Sequence, residues 1–241
     1  MLKIEKTDVY GWEAAIRGMR NPMNSWDKSD SNFSCKNCQG CFYKDKAQRQ
    51  ELLGVVDIWC DHTALRIGAN DLALMLKLAK AGSVHAKYRR MIVVTVDITA
   101  PLYWWKEFDT YKVGTVANSC STMHKIHAKE FTLDDFSCEH LSWIDVGGSL
   151  HISPCQTLKN TVLMLNNCRE LYLQTKEKHY WWQMIQLLPT SYNQKRTVQL
   201  NYEVLVGIYR DRRNHKLDEW HTLCDWIENL PYSEIITGEP Q

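Results

Sequence analysis

The chain has 241 residues, of which 44% are apolar and 24% are charged. These fractions are typical of a globular protein and argue against a disordered or fibrous chain. The formal net charge of +1 lacks the basic excess that nucleic-acid-binding proteins usually carry. No apolar run approaches the roughly 20 residues of a membrane span. The charged N-terminal segment lacks the apolar stretch of a signal peptide. We therefore expect a cytoplasmic protein that has no membrane or nucleic-acid partner.

The first half of the chain alternates patterned segments with one polar stretch. Residues 1–20 predict a strand followed by a helix, and residues 21–50 predict a loop rich in Asn, Ser, Asp and Lys. The apolar spacing predicts a helix over 70–82. The β-branched run Met91–Ile98 predicts a strand. An aromatic segment over 102–111 could be helical, because Pro101 suits the start of a helix.

The second half becomes polar after residue 115 and then predicts mostly helices, over 158–175, 179–188, 200–210 and 217–230. In the first of these helices, the residues expected to face inward are Leu158, Val162, Leu165, Cys168, Leu171 and Tyr172. Helices outnumber strands, so the predicted fold class is α+β, with helices packed around a small, mostly antiparallel sheet. We expect one domain over residues 1–241, with a Cys-rich loop insertion at about 28–50.

Cysteines cluster in this predicted loop. Cys35, Cys38 and Cys41 are spaced Cys-x-x-Cys-x-x-Cys, and Cys60 and His62 follow. Thiolates at this spacing can bind one metal ion, and Cys60 or His62 could supply the fourth ligand of a closed structural zinc site. Three surface thiols without a metal are the alternative interpretation.

Two further segments carry groups that could bind a ligand. Residues 101–124 mix large aromatic rings with Thr, Asn, Ser and Lys side chains. Such a mixture suits a planar heterocycle and its phosphates, although composition alone favours an aromatic helix in the core followed by a polar loop. Residues 210–215 read Arg-Asp-Arg-Arg-Asn-His. These cations could stabilise the C-terminal end of a helix or clamp a phosphate. Cys155, after Ser153-Pro154, is interpreted as an inert, partly buried thiol.

The order of these features resembles that of the flavin-dependent thymidylate synthases. The family signature R-H-R-x-x-S-x-N-E-x-S-x-R follows a helix opened by Ala-Pro. When Ala100-Pro101 is laid on that opening, residues 110–122 keep the spacing of the signature but few of its identities. Leu188-Pro189 matches the family's Leu-Pro, and Asn201 and Arg212 follow it at the family's intervals. The resemblance covers roughly residues 65–230.

The resemblance implies an enzyme that uses reduced FAD and methylenetetrahydrofolate, with NADPH as reductant, to methylate dUMP or to perform a related one-carbon transfer on a pyrimidine nucleotide. It also implies a homotetramer. The flavin would be lined by Tyr111, Lys112, Asn118 and Asn201. The nucleotide would contact Glu107, Cys120, Ser121, Thr122 and Arg212. Arg212 would be the catalytic residue, because it would polarise the base or anchor the nucleotide.

Several matched positions differ from the family. Thr110, Thr122 and Ile185 stand where the family has arginine, and Glu203 replaces another arginine. Glu107 replaces a glutamine. A carboxylate can only accept hydrogen bonds, so we expect altered base preference, towards a pyrimidine that carries an exocyclic amine. Two other hypotheses stay open. One is a degenerate relative that binds a nucleotide without catalysis, and the other is an interaction protein organised around a metal bound by the cysteine cluster.

Overall fold

The computed structural model describes residues 1–35, 63–147 and 151–238. Its strands are β1 (Lys3–Tyr10), β2 (Asn32–Cys35), β3 (Thr63–Arg66), β4 (Val93–Pro101), β5 (Val116–Ser119) and β6 (Asn193–Asn201). Its helices are α1 (Trp12–Arg20), α2 (Ala69–Lys80), α3 (Leu102–Phe108), α4 (Thr122–Lys125), α5 (Pro154–Thr175), α6 (Lys178–Leu187), α7 (Tyr202–Arg212), α8 (Asp218–Glu228) and α9 (Glu234–Thr237). The predicted α+β class is therefore confirmed.

The main sheet has four strands in the order β1-β4-β6-β5, and every neighbouring pair is antiparallel. Burial along β4 alternates: Val94, Val96 and Ile98 face the core, and the residues between them are partly exposed. This period of two is what a strand with one covered face requires. The sheet aligns Val93 with Asn201 at one end of β4 and β6, so α3 and α7 begin at opposite ends of the same strand pair.

Two apolar clusters stabilise the described residues. The larger cluster packs α1, α3, α7 and α8 against the covered face of the sheet, and Trp104, Trp220 and Tyr202 are fully buried in it. The smaller cluster lies between α5 and α6 and centres on Leu165 and Met184. The two clusters contact different parts of the 101–127 segment. Phe108 and Tyr111 belong to the larger cluster, and Ile126 belongs to the smaller one.

A buried carboxylate fixes the segment that precedes β2. Asp71, at the start of α2, accepts hydrogen bonds from Arg20 Nε at 2.6 Å, Ser29 Oγ at 2.7 Å and Ser31 Oγ at 2.6 Å. Burial raises the pKa of this carboxyl, but the hydrogen bonds from Ser31, Ser29 and Arg20 outweigh burial and leave the pKa below its ordinary value. In return, the Asp30 carboxylate accepts the backbone N–H groups of residues 70 and 71 at the first turn of α2, which satisfies donors that a helix start leaves free.

The structure corrects several sequence predictions. The predicted helix over 200–210 begins only at Tyr202, because β6 occupies the preceding residues and Asn201 caps the helix. The polar stretch after residue 115 contains β5, and the predicted loop over 21–50 contains β2. Leu171 was expected to face inward but is exposed. Other inward positions on α5 are confirmed, since Leu158, Val162, Leu165 and Cys168 are buried.

No helix within the described ranges combines the length and the hydropathy that crossing a bilayer requires. The predicted zinc site depends on residues that lie almost entirely outside these ranges. Cys38, Cys41, Cys60 and His62 are not among the described residues, and of Cys35 only the backbone is described, at the end of β2.

Candidate functional site

Arg212 is the last residue of α7, and its guanidinium is held by three kinds of contact. Its Nη1 donates to Glu107 Oε2 at 2.7 Å, and its Nε donates to the Tyr111 hydroxyl at 2.9 Å. The guanidinium also lies 4.6 Å from the ring centre of Trp220, within the distance of a cation–π contact. The structure therefore brings Glu107 and Tyr111, which are neighbours in sequence, together with Arg212, which is more than 100 positions away from both.

The carboxylate of Glu107 collects donors from two helices. Besides Arg212, the indole N–H of Trp220 donates to Oε2 at 3.3 Å, and His215 Nε2 lies 3.2 Å from the same oxygen. The backbone N–H of Leu217 donates to His215 Nδ1 at 3.2 Å, which assigns the ring hydrogen to Nε2 and makes it a donor to Glu107. All three donors meet Oε2, and Oε1 has no hydrogen-bond donor among the described residues.

Most of the aromatic run that precedes this cluster belongs to the core. Trp104, Trp105 and Phe108 on α3 are each at most 2% exposed. The Trp104 and Phe108 rings stack with centres 5.1 Å apart. The hypothesis that these rings contact a heterocycle is wrong for the three buried ones, and the core interpretation is correct for them. Of this run, Tyr111 stays half-buried, with its ring edge-on to Trp220 at 6.1 Å.

The turn after α3 rests on the start of α7. Gly114 has φ +80, and a Cβ at this position would lie 3.0 Å from Asn201 Nδ2 and 3.1 Å from Val204 Cγ2. Asn201 Oδ1 meanwhile accepts the backbone N–H of Val204 at 3.1 Å and caps the helix. Of the residues predicted to lie by the flavin, Asn201 is therefore the one that contacts this turn. Next to Gly114, the hydroxyl of Thr115 is buried without a hydrogen-bond partner among the described residues.

The remaining predicted residues form an open edge. Lys112, Asn118 and Cys120 are exposed, and β5 is an edge strand of the sheet. The backbone carbonyl of Cys120 accepts from Gln194 Nε2 at 2.8 Å. Ser121 caps α4 by accepting the backbone N–H of residue 124 at 3.0 Å, and Thr122 begins that helix, half-buried. Within the described chain Arg212 forms its side-chain hydrogen bonds with Tyr111 and Glu107 and none with these side chains, which form a separate surface.

Sequence reasoning missed three contributors. His215 and Trp220 complete the surroundings of Glu107, and Arg196 on β6 donates to Asp109 at 2.7 Å while its guanidinium lies 4.2 Å from the Trp105 ring centre. His215 lies at the end of the Arg-rich run, which was the available signal. The predicted burial of Cys155 is confirmed: the residue is buried, and its thiol donates to the carbonyl of Leu141 at 3.2 Å.

Within the described residues, no group of three or more Cys, His, Asp or Glu side chains could hold a metal ion. The described cysteines whose side chains are resolved are free thiols, namely Cys120, Cys138, Cys155, Cys168 and Cys224. Burial raises the pKa of the Cys224 thiol to about 11, which keeps it protonated and unreactive.

The fold is similar to that of the flavin-dependent thymidylate synthases, as the resemblance predicted. A crystal structure of thymidylate synthase X (ThyX) from Helicobacter pylori with FAD and dUMP matches with a TM-score of 0.63 at 14% identity, over 99% of this chain and 98% of that chain. The UMP/dUMP methylase PolB from Streptomyces cacaoi, bound with 5-Br UMP, matches with a TM-score of 0.51 at 15% identity, over 71% of this chain and 84% of that chain. No protein-family model and no curated protein matches the sequence.

Proposed function

We propose that this protein is a flavin-dependent enzyme that modifies a pyrimidine deoxynucleotide, by dUMP methylation or a related one-carbon transfer. The observation that carries the proposal is the position of Arg212. It ends a helix capped by Asn201, and its guanidinium is oriented by Glu107 and Tyr111. The similar ThyX structure contains FAD and dUMP, and the similar PolB structure contains a brominated UMP. These relatives support a pyrimidine nucleotide as the substrate class.

Arg212 would bind and polarise the nucleotide. Its Nε and Nη1 are occupied by Tyr111 and Glu107, which leaves Nη2 to donate to a base carbonyl. The fixed guanidinium loses little conformational freedom when the ligand binds, and this favours an ordered complex. Since an arginine is always charged, it would stabilise negative charge that develops on the base without any proton transfer.

The residues around the 110–118 turn fit a flavin in their chemistry. Lys112 and Asn118 present exposed donors, and the buried Thr115 hydroxyl lacks a partner among the described residues. A ligand oxygen would satisfy such a hydroxyl, whose isolation otherwise costs about 1–3 kcal/mol. Lys112 would pair with a phosphate, and Asn118, Asn201 and Tyr111 would line the ring. When bound, reduced FAD would supply the hydride, with NADPH and methylenetetrahydrofolate as co-substrates.

We also propose that the protein is a homotetramer and that it works in the cytoplasm. Support for self-association comes from apolar side chains on the outer face of α5, where Leu163 is 61% exposed and Met164 is 50% exposed. Support for the compartment comes from the free thiols among the described cysteines, since such thiols are typical of a reducing environment.

A second candidate function is nucleotide binding without catalysis. It is favoured by the residues that replace arginine at the positions matched to the family. Thr110 and Thr122 offer hydroxyls instead of guanidinium groups. Glu203, at another such position, lies 3.7 Å from Arg89 Nη1 inside the fold. Each missing charge-assisted bond removes about 1.5–3 kcal/mol of phosphate binding.

Purified protein tests both functions. The enzyme hypothesis expects FAD binding, seen as a visible flavin absorption band, which NADPH bleaches and which returns when dUMP and methylenetetrahydrofolate react. Binding of dUMP without flavin would support the non-catalytic relative. A preparation that binds neither FAD nor any pyrimidine nucleotide contradicts both.

A further inference from the structure

A cleft of ≈ 420 Å³ lies where α4 meets the turn between α5 and α6. Its volume falls within the range of about 300–1,000 Å³ that is typical of small-molecule sites. The ring- and charge-bearing side chains that line it are His124, His127, Tyr172, Lys176, Lys178 and Trp181. The cleft lies beside the smaller apolar cluster, whereas the Arg212 cluster packs on the larger one.

Two aromatic walls of the cleft are fixed in orientation. The indole N–H of Trp181 donates to the backbone carbonyl of Met123 at 3.0 Å, which holds the ring against α4. The Tyr172 ring meets the His127 ring edge-on, with centres 5.0 Å apart. The rings of Tyr172 and Trp181 are half-buried, so part of each ring is exposed to solvent, and the Lys176 ammonium lies 5.9 Å from the Tyr172 ring centre. A planar ligand ring can stack on such a surface.

The cleft also carries positive charge that no carboxylate neutralises. Of the side chains that line it, all within the described ranges, none is acidic. Lys176 and Lys178 form no ion pair with a described residue, and each lies 5.9 Å from an aromatic ring centre. The nearest carboxylate in sequence, Glu177, pairs instead with His179 at 3.2 Å. Lys178 begins α6, whose N-terminal end attracts an anion, whereas Lys176 caps the C-terminal end of α5, whose dipole acts in the opposite sense. The attraction for an anion therefore comes from the two ammonium groups.

We propose that this cleft is a second ligand site, which binds a nucleotide through its phosphate and its base. Lys176 and Lys178 contact the phosphate, and the ring lies against Tyr172 and Trp181. Phosphate alone would not use the fixed aromatic walls, and an uncharged nucleoside would not use the unpaired lysines. The ligand class is therefore a phosphorylated compound with a planar ring. The site does not depend on the function proposed for Arg212.

Calorimetric titration of the full chain with AMP tests this site. The double variant K176Q/K178Q removes both cations, and K77Q/K80Q on α2 is its control, since it makes the same charge change at two exposed lysines elsewhere. Each lost lysine contact should weaken AMP binding by about tenfold, so we expect about a 100-fold loss in K176Q/K178Q. The control should stay within about twofold of wild type. Thermal unfolding of each variant verifies that it is folded.

Three further measurements test where and how AMP binds. Adenosine and inorganic phosphate should each bind at least about tenfold more weakly than AMP. Tyr172→Leu should weaken AMP binding and leave phosphate binding unchanged. Arg212→Lys should leave AMP binding unchanged. Equal losses in K176Q/K178Q and K77Q/K80Q, or phosphate binding as tight as AMP binding, would overturn the proposal. Loss of AMP binding in Arg212→Lys would assign the nucleotide to the Arg212 cluster and remove the second site.

Discussion

The guanidinium of Arg212 touches a carboxylate, a phenol and an indole ring at once. Only the planar fork of arginine can make an ion pair along one edge, donate a second hydrogen bond from Nε and stack by its face. The contact with Glu107 involves side chains that are 18% and 36% exposed, so solvent screens it and its value lies in orientation rather than stability. The neighbouring residues therefore fix where a ligand would meet the positive charge.

Replacement of Arg212 by lysine keeps the positive charge and removes the planar guanidinium with its several N–H donors. We expect dUMP binding to weaken by about 10- to 100-fold, since one or two charge-assisted hydrogen bonds of about 1.5–3 kcal/mol are lost or misplaced. FAD binding should change little, because Lys112, Asn118 and Thr115 remain. Calorimetric titration with each ligand measures both values. A variant that binds dUMP as tightly as the wild type does would show that Arg212 is not part of the nucleotide site.

We propose that Glu107 selects the base. Its Oε1 has no hydrogen-bond donor among the described residues and can only accept a hydrogen bond, so an exocyclic amine on the base would be favoured and a carbonyl disfavoured. We expect the wild-type protein to bind dCMP more tightly than dUMP, and Glu107→Gln to shift the ratio of the two affinities by about tenfold towards dUMP. Asp134→Asn, at an exposed carboxylate with no ion pair among the described residues, controls for the change in charge. An unchanged ratio across pyrimidine nucleotides would show that Glu107 does not contact the base.

The sequence could predict some of these residues and not others. Tyr111, Glu107 and Arg212 were found because motif spacing carried them, and the structure joins them. His215 and Trp220 could not be assigned, because their role depends on where α8 packs relative to α3, which is a tertiary relation. For the aromatic rings of α3, composition favoured the core over a ligand surface, and the burial of Trp104 and Phe108 confirms that interpretation.

The turn between α3 and β5 depends on one glycine. Gly114 combines φ +80 with a tight space, in which a Cβ would lie 3.0 Å from Asn201 Nδ2 and would push that side chain slightly aside. We expect Gly114→Ala to destabilise the fold by about 1–2 kcal/mol through left-handed backbone strain and to weaken FAD binding by moving Asn201. Gly147→Ala is the control, because Gly147 has φ +86 with nothing within 4 Å. Thermal unfolding of both variants measures the cost of the backbone strain, and flavin titration measures the effect of moving Asn201. Normal FAD binding by Gly114→Ala would show that the turn does not line the flavin.

The ionic network at the start of α2 predicts acid sensitivity. The pKa of Asp71 is lowered in the folded protein from an unfolded value of about 3.9. Its contribution to the free energy of unfolding is therefore complete above about pH 4 and is lost as the pH falls through the folded pKa. At neutral pH we expect Asp71→Asn to cost about 3 kcal/mol, because it leaves the buried Arg20 unpaired. The variant should also lose less stability than wild type between about pH 5 and pH 3.

Urea unfolding across this pH range measures the effect. Asp27→Asn serves as the control, since Asp27 is exposed and has no ion pair among the described residues. If Asp71→Asn and wild type lost stability in parallel on acidification, another carboxylate would be responsible. The same network explains why the polar segment before β2 is ordered, because Ser29, Asp30 and Ser31 all bond to α2 or to its first carboxylate.

Elements with a strong apolar period were predicted and elements without one were missed. The β-branched run of β4 was found, although its boundaries shifted to Val93–Pro101. β5 was not predicted, because all four of its residues are exposed and its sequence therefore lacks the alternation of buried and exposed residues. β6 lies between β4 and β5, yet its first half reads Asn-Gln-Lys-Arg-Thr. Its strand conformation comes from pairing with β4, a context that outweighs local propensity.

The outer surface of α5 bears on how chains assemble. Leu163, Met164 and Leu171 lie on the face opposite the buried positions of this helix, and all three are at least 39% exposed. A helix with apolar residues on both faces is typically buried on both, and a cluster of exposed apolar side chains marks an interaction surface. Within the described chain nothing covers this face, so a second copy is the occupant that the homotetramer proposal requires.

We therefore expect wild-type protein to sediment as a tetramer and L163E/L171E to sediment as a smaller species at the same concentration. Each buried glutamate would face an apolar partner surface without a counter-ion, which costs several kcal/mol per site. Val84→Glu is the matched control, because Val84 is 70% exposed in the turn after α2 and the substitution introduces the same charge away from α5. A monomeric wild type, or equal dissociation in both variants, would contradict the assembly through α5. If L163E/L171E also lost FAD binding while it kept its thermal stability, the flavin site would have to include residues from a second chain, as the exposed positions of Lys112 and Asn118 suggest.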